Sequence, residues 1–201
     1  MSQLIVLNHL SLDGVMQAPG RPDEDTREGF RHGGWAMPRG NTLGAAAKPP
    51  DTVGALLFGR RTFDDFYGFW PNQSGNPFTA ILNNMPKYVA SRTLRRPLPW
   101  QNSTLLQGEA AEAVARLKRE PGRDMLIMGS GQLIKSLLAH GLIDTFIVMI
   151  HPIVLGSGRR MFETSGPTVD FTLAGAEAAP NGVVIATYTR TVTDGGLGRI
   201  D

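Results

Sequence analysis

Three short stretches carry residues that could bind phosphate groups, and each follows an apolar run typical of a buried strand. The stretches are Gly59-Arg60-Arg61-Thr62, Ser91-Arg92-Thr93-Leu94 and Gly129-Ser130-Gly131-Gln132-Leu133. Arginine can donate paired hydrogen bonds to phosphate, and glycines before a helix let an anion approach the unpaired N–H groups at its positive end. Because parallel strands end on one edge of a sheet, the three stretches together predict a site for a dinucleotide.

Each stretch taken alone has a plain structural alternative. Gly129 and Gly131 could simply form a tight turn, and the arginines could be solvated charges at a strand end. The glycine turn lacks the third glycine of the dinucleotide fingerprint, since Ile134 stands at that position, so a Rossmann domain is not expected. Two arginine sites beside a helix terminus suit a phosphomonoester as well as a pyrophosphate, which favours NADPH over NADH.

The element that must position the glycine turn is the unit from Asp124 to Ile150. Asp124–Met128 and Phe146–Ile150 are apolar runs that predict buried strands. Between them, the spacing of Leu133, Ile134, Leu137 and Leu138 predicts a helix. Gly141 is expected to close this helix in the left-handed conformation.

Further strands and helices are predicted along the chain. The predicted strands are Gln3–Leu10, Val53–Phe58, Lys87–Ser91, Ser103–Leu106, Phe171–Ala178 and Val183–Thr191. Asn181-Gly182 predicts a hairpin between the last two strands. The aromatic spacing of Phe63, Phe66, Tyr67 and Trp70 predicts one helix, which Pro71 ends, and Glu109–Glu120 is predicted as another.

The segment from Gln17 to Pro50 is rich in glycine, proline and charge, which is typical of a lid or another functional loop. Short helices are predicted at Asp25–Phe30 and Thr42–Lys48. Part of the substrate pocket is expected here. Pro152–Arg160 is predicted to be a structural loop or part of a subunit interface.

Composition narrows the class of protein. The chain has 201 residues, 41% of them apolar, a formal charge of +2 and no cysteine. We expect one domain over 1–193 with a flexible tail at 194–201, no binding of nucleic acid and no membrane span. The start lacks a targeting signal, so a cytoplasmic location is the expectation. The four histidines (His9, His32, His140 and His151) have no metal-ligand spacing, so no catalytic metal is expected, and no serine-hydrolase elbow occurs.

Asp13, which follows the first strand, is the best candidate for a catalytic residue. A carboxylate there could orient substrate or relay a proton, with Asp25 and Glu28 as further candidates. The alternative is that Asp13-Gly14 simply forms a turn. Trp35, Phe66 and Trp70 could line the pocket, although for the last two a place in the core is the competing interpretation.

The motifs SLDG, FGRRTFDDF, SRTL and GSGQLIKSLL, in that order and with the closing hairpin, resemble the dihydrofolate reductase-like superfamily. The resemblance runs from Leu4 to Arg190 and is closest to the reductase domain of riboflavin biosynthesis. It implies a three-layer α/β/α fold, with a mostly parallel mixed sheet and a C-terminal antiparallel hairpin, and it implies NADPH as cofactor.

Carried over by motif, the resemblance implies roles for individual residues. Gly59, Arg60, Arg61 and Thr62 would hold cofactor phosphates, with Ser91 and Arg92 at the 2'-phosphate. The residues Gly129, Ser130, Gly131, Gln132 and Leu133 would meet the pyrophosphate and the nicotinamide half. Leu12, Asp13 and Gly14 would lie beside the nicotinamide ring, where the substrate binds.

The expected function is NADPH-dependent hydride transfer to a C=N or C=O bond of a small heterocyclic or sugar-like substrate. The substrate that the resemblance implies is 5-amino-6-(5-phosphoribosylamino)uracil. Folate reduction is less expected, because the predicted helix Thr42–Lys48 carries no acid. The alternatives are a nucleotide-binding module without catalysis and a structural homo-oligomer. A homodimer through the hairpin and Pro152–Arg160 is expected and would be compatible with any of these.

Overall fold

A computed structural model of the chain describes residues 2–40, 49–162, 166 and 168–191, with no side chains described at positions 39 and 40. The strands are β1 (Leu4–Ser11), β2 (Val53–Gly59), β3 (Lys87–Ala90), β4 (Ser103–Leu105), β5 (Asp124–Ile127), β6 (Thr145–His151), β7 (Phe171–Ala178) and β8 (Val184–Arg190). The helices are α1 (Met37–Gly40), α2 (Arg60–Phe69), α3 (Pro77–Asn84), α4 (Ala110–Arg119) and α5 (Gly131–Ala139).

All eight strands form one sheet in the order β4-β3-β2-β5-β1-β6-β8-β7. The six strands from β4 to β6 run parallel to one another. β8 is antiparallel to β6 and β7 is antiparallel to β8. The central strands are apolar on both faces because helices cover both sides of the sheet. This is the predicted dihydrofolate reductase-like fold with its C-terminal antiparallel hairpin.

Two hydrophobic cores lie on opposite faces of the sheet and make the fold three-layered. On one face, α2 and α3 bury Phe63 and Leu82 against alternate residues of the central strands. On the other, α4 and α5 bury Val114, Ile134 and Leu137 against the intervening residues. The period of two along each strand assigns its apolar side chains to the two cores in turn.

The predicted helix of the Asp124–Ile150 unit is confirmed, and Gly141 ends it with φ +64°. The predicted hairpin is confirmed as well, with Gly182 at φ +83° in the turn. Every residue of β7 after Phe171 is exposed. The hairpin belongs to the predicted dimer face, and the homodimer itself stays a prediction.

Helix α3 has no counterpart in the sequence prediction. Asn76 caps its start by accepting a hydrogen bond from Phe78 N at 3.0 Å. Its C-terminal end is held by Lys87, whose buried Nζ donates to the carbonyls of Leu82 and Met85 at 2.6 and 2.7 Å. Because this interaction joins Lys87 in β3 to the end of α3, the eight residues of α3 alone did not predict the helix.

The segment after β1 folds into a small core of its own, formed by Val15, Ala18, Phe30, Trp35 and Ala36. In place of the helix predicted at Asp25–Phe30, the chain forms a 3-10 turn at Arg27–Gly29, with Glu28 at φ +60° inside it. The left-handed residue interrupts any regular helix there. The predicted helix Thr42–Lys48 and the predicted tail lie outside the described residues. Over the described ranges, no helix is long and apolar enough to cross a membrane.

Candidate functional site

A cleft of about 1000 Å³ opens at the carboxyl end of the central strands. β2 and β5 are neighbours in the sheet, yet α2, which follows β2, packs on one face and α5, which follows β5, packs on the other. Adjacent strands whose helices leave to opposite sides create a crevice, the usual ligand site of open α/β sheets. The starts of both helices, 59–62 and 129–133, line the cleft.

The starts of α2 and α5 are joined by two hydrogen bonds. Ser130 N donates to Thr62 Oγ1 at 2.9 Å, and Gly59 N donates to Ser130 Oγ at 3.0 Å. Ser130 has φ +57° and Gly129 has φ +61°, so two consecutive residues are left-handed. A Cβ on Gly129 would lie 2.9 Å from Thr62 Cγ2, so the turn requires glycine there. Sequence reasoning placed these residues together but could not show that they hold one another.

Asn8 is part of this site and was missed by the sequence analysis. It is buried in β1, where its Oδ1 accepts from Gly129 N at 2.7 Å and its Nδ2 donates to Gly129 O at 3.2 Å. The available signal was a polar pair, Asn8-His9, which interrupts the apolar run of a central strand. Such a residue must find partners, because an unpaired buried amide is costly.

The arginine stretches lie at the neighbouring strand ends, as predicted. Arg60 lines the cleft and donates from Nη1 to Thr93 Oγ1 at 2.6 Å, which links the ends of β2 and β3. Ser91 Oγ accepts from Leu94 N at 3.0 Å and shapes the turn after β3. Arg92 is highly exposed and pairs with Glu109 at 2.8 Å. Ser91 and Arg92 are not among the described residues that line the cleft, but they extend the same sheet edge.

The opposite wall of the cleft comes from two segments, 16–18 with 23–27 and 158–162. The first includes Asp25, which the sequence analysis named as a candidate, whereas no residue of the second was assigned to the site. The two are joined where Arg159 N donates to Gln17 Oε1 at 2.9 Å. Gly158 packs so tightly that a Cβ would lie 2.6 Å from the Phe30 ring. The loop predicted to be purely structural or interfacial, Pro152–Arg160, therefore also supplies part of the cleft.

Two carboxyl groups in the cleft have raised pKa values. Burial raises the pKa of Glu24 and the nearby negative charge of Asp65 adds to this rise, although hydrogen bonds from the backbone N–H groups of Gly20 and Arg21 oppose it. Burial likewise raises the pKa of Asp65, against the opposing effect of its hydrogen bond with Arg21. Asp25 differs: burial works against ionisation, yet hydrogen bonds from Arg27 lower its pKa. Glu24 is thus better suited than Asp25 to carry a proton in the cleft.

The geometry does not support Asp13 as a proton relay. Its carboxylate accepts hydrogen bonds from Ser11 Oγ, Leu155 N and Gly156 N at 2.7, 3.1 and 3.0 Å. Although burial acts in the opposite direction, these bonds lower the pKa of Asp13 to about 2. Asp13 is not among the described residues of the cleft wall. It anchors the loop that carries Arg159 and Arg160 instead.

The four residues predicted to bind substrate also lie elsewhere. Leu12 is 63% exposed, and Gly14 sits in the turn after β1 with φ +79°. Trp35 is buried and donates from Nε1 to Gln17 O at 2.8 Å, while Phe66 packs into the core against Phe58. None of the four is among the described residues that line the cleft. The two aromatic side chains pack in the hydrophobic core instead, where burial removes their apolar surface from water.

Glu28 forms an ion pair, and His9 and His151 lie side by side. Glu28 pairs with Arg159, which lines the cleft, but Glu28 itself is not among the described lining residues. His9 Nδ1 lies 2.8 Å from His151 Nε2, and burial, together with the neighbouring His151, lowers the pKa of His9 to about 4. Within the described ranges, no group of three or more potential metal ligands comes together.

The fold and the crevice together define a dihydrofolate reductase-like α/β protein with a cleft at the carboxyl edge of its sheet. The chain belongs to the RibD C-terminal domain family, whose model matches residues 3–185. It is 29% identical over 141 residues to the uncharacterized protein YyaP of Bacillus subtilis, which covers 68% of this chain and 73% of YyaP.

Solved structures show the same fold. A protein of Shewanella sp. PV-4 named for riboflavin biosynthesis superposes with a TM-score of 0.65 at 22% identity, covering 96% of this chain and 100% of the other. A pyrimidine reductase-like protein of Corynebacterium diphtheriae has a TM-score of 0.61 at 12% identity, with coverages of 96% and 93%. At these identities the likeness concerns architecture.

Proposed function

We propose that this protein is an NADPH-dependent reductase that transfers a hydride to a small heterocyclic or sugar-like substrate. The observation that carries the proposal is the crevice between β2 and β5, where the starts of α2 and α5 meet in one cleft. Membership of a family of reductase domains supports it. The cofactor would supply the hydride, and the chain would supply position and exclusion of water.

The residues of the cleft fit a phosphate-bearing cofactor. Two helix starts point their positive ends at the crevice, and Arg60 and Arg61 add guanidinium groups beside one of them. Gly131 lets the Met16 side chain pack against the turn, since a Cβ there would lie 2.9 Å from Sδ. We place the pyrophosphate at 129–133 and 59–62, with the 2'-phosphate toward Arg60, Ser91 and Arg92.

The substrate would occupy the part of the cleft between 16–27 and 158–162. Arg159 and Arg160 in this wall, although they also pair with Glu28 and Asp13, suit an anionic substituent, consistent with 5-amino-6-(5-phosphoribosylamino)uracil as the substrate to test first. Reduction of a C=N or C=O bond needs a proton as well as a hydride. We propose Glu24 as its source, because burial keeps its carboxyl protonated to a higher pH than an ordinary glutamate.

The first test is a titration with NADPH and, separately, NADH, following energy transfer from Trp35, Trp70 and Trp100 to the reduced nicotinamide. Preference for NADPH supports the cofactor assignment, and loss of nicotinamide absorbance on adding the pyrimidine substrate supports the reductase. Tight NADPH binding without oxidation by any of a panel of heterocyclic substrates would favour the non-catalytic nucleotide-binding module. Failure to bind either cofactor would leave the structural homo-oligomer.

We also propose that the protein is a homodimer. Exposed apolar side chains lie on both parts of the predicted dimer face, Val154 in the loop and Leu173 on the hairpin. Light scattering after size-exclusion chromatography should give twice the mass of the chain. A monomer mass across the concentrations used for the titration would contradict this.

A further inference from the structure

The parallel ladder between β1 and β5 stops two residues before Gly129. Its last backbone pair is Val6 with Ile127. Continued in register, the ladder would pair Asn8 with Gly129. The side chain of Asn8 reaches Gly129 instead and bonds both its N–H and its C=O. One side-chain amide therefore takes the place of the missing ladder bonds.

Because the Asn8 side chain supplies these hydrogen bonds, the backbone of Gly129 can leave the sheet plane without losing them. A strand residue in the ladder must be extended, whereas Gly129 and Ser130 have φ +61° and φ +57°. A left-handed non-glycine residue costs free energy and persists only when its surroundings hold it. Here Asn8 holds the turn from β1, and Thr62 holds it from α2.

Asn8 lies on the face of β1 that Leu4, Val6 and Leu10 give to the core, where an apolar side chain would suit the strand. Its amide also touches the opposite cleft wall, since Nδ2 lies 3.6 Å from Met161 Sδ. Packing of the core does not require an amide at position 8, but hydrogen bonding of the turn does.

We propose that Asn8 is a positioning residue that holds the Gly129–Gly131 turn in the conformation that receives the cofactor's pyrophosphate. The inference rests on the proposed function and names a residue through which that site is built. Asn8 is not a catalytic residue, because it acts only through Gly129.

The experiment compares wild type with Asn8→Leu and Asn8→Asp, using two probes: NADPH, which reaches the turn, and adenosine 2'-monophosphate, which has no pyrophosphate. Losing two buried hydrogen bonds predicts an NADPH Kd raised by about 10- to 100-fold in Asn8→Leu. The Kd of adenosine 2'-monophosphate should stay within about twofold of wild type, because the arginine side of the site is untouched.

Asn8→Asp has the same shape and supplies a readout that a merely structural role would not move. An ionised carboxylate can accept from Gly129 N but repels Gly129 O, whereas a protonated carboxyl can donate to it as the amide does. NADPH affinity of this variant should therefore recover as the pH is lowered, relative to wild type at the same pH. It also keeps the test decisive if Asn8→Leu does not fold.

The matched control is Thr79→Val, which removes a buried polar group on α3. The Thr79 hydroxyl has no hydrogen-bond partner among the described residues, so both probes should bind this variant as they bind wild type. Folded Asn8 variants that bind NADPH like wild type, or that lose both probes equally, would overturn the inference. If wild type itself binds neither probe, the proposed function fails, and the inference fails with it.

Discussion

The carboxylate of Asp13 accepts a hydrogen bond from the backbone N–H of Gly156 at 3.0 Å, across 143 positions of sequence. Together with the bond from Leu155 N, this ties the turn after β1 to the loop that forms one cleft wall. Arg160 completes the anchor by donating from Nε to Asp13 O at 2.7 Å. The SLDG motif thus fixes a loop, and its residues are not among the described residues that line the cleft.

Asp13→Asn should lower stability while leaving the NADPH Kd unchanged, since the anchor lies outside the cofactor half of the cleft. The pKa of Asp13 in the folded state is about 2, below the ordinary value of 3.8. The ionised carboxylate therefore stabilises the fold fully above pH 3.8, and this stabilisation is lost as the pH falls toward about 2. Thermal unfolding of wild type and variant should therefore converge in this acid window. A variant with wild-type stability but no turnover would return Asp13 to a catalytic role.

Arg60→Ala should weaken NADPH by about 10- to 100-fold and NADH much less, because a charge-assisted bond to the 2'-phosphate is lost. Arg92→Ala should have a smaller effect, since the Arg92 side chain is 82% exposed against 50% for Arg60, and only Arg60 is among the described residues that line the cleft. Arg116→Ala, an exposed arginine on α4, is the matched control. Equal losses for the two cofactors would refute the 2'-phosphate assignment.

Gly129→Ala should destabilise the fold by about 1–3 kcal/mol, because alanine is strained at φ +61° and its Cβ meets Thr62. NADPH affinity should fall as the turn relaxes. Gly68→Ala in α2 is the control with the opposite sign: its Cβ meets nothing within 4 Å, so the helix should gain about 0.5–1 kcal/mol. Urea unfolding of both variants measures the contrast, and a neutral Gly129→Ala would contradict this account of the turn.

Glu24→Gln should reduce turnover with the pyrimidine substrate while leaving NADPH binding intact. In wild type the rate should fall as pH rises through the raised pKa of Glu24, because only the protonated carboxyl can donate. The variant should lack this limb of the pH–rate profile. An unchanged profile would assign the proton to another donor, and Asp25→Asn, with its ion pair to Arg27, is the comparison within the same wall.

Lys87→Met should cost about 1–3 kcal/mol of stability, because the carbonyls of Leu82, Asn83 and Met85 lose their shared donor at the end of α3. The contact of Nζ over the Trp100 ring would be lost as well. Cofactor affinity should not change, since Lys87 is at the amino end of β3, away from the cleft. Chemical denaturation and the NADPH titration check the two parts separately.

The sequence by itself determined the strands, the long helices, the hairpin and the order of the phosphate-type motifs. These features depend on local rules: apolar periodicity, turn residues and the common edge on which parallel strands end. Gly59–Thr62 and Gly129–Leu133 meet in the cleft because each lies at the carboxyl end of a parallel strand, which the pattern of the chain already predicts.

Only the tertiary structure decided which polar side chains face the cleft and which are used to build it. Asp13 and Asn8 are both polar residues at or near the end of β1, yet one anchors a loop 143 positions away and the other replaces ladder bonds to Gly129. Their partners are distant in sequence, and hydrogen bonding depends on distances of a few ångströms that no local pattern specifies. Trp35 and Phe66 lie in the core rather than in the cleft because burial is set by packing between elements, which residue type alone does not specify.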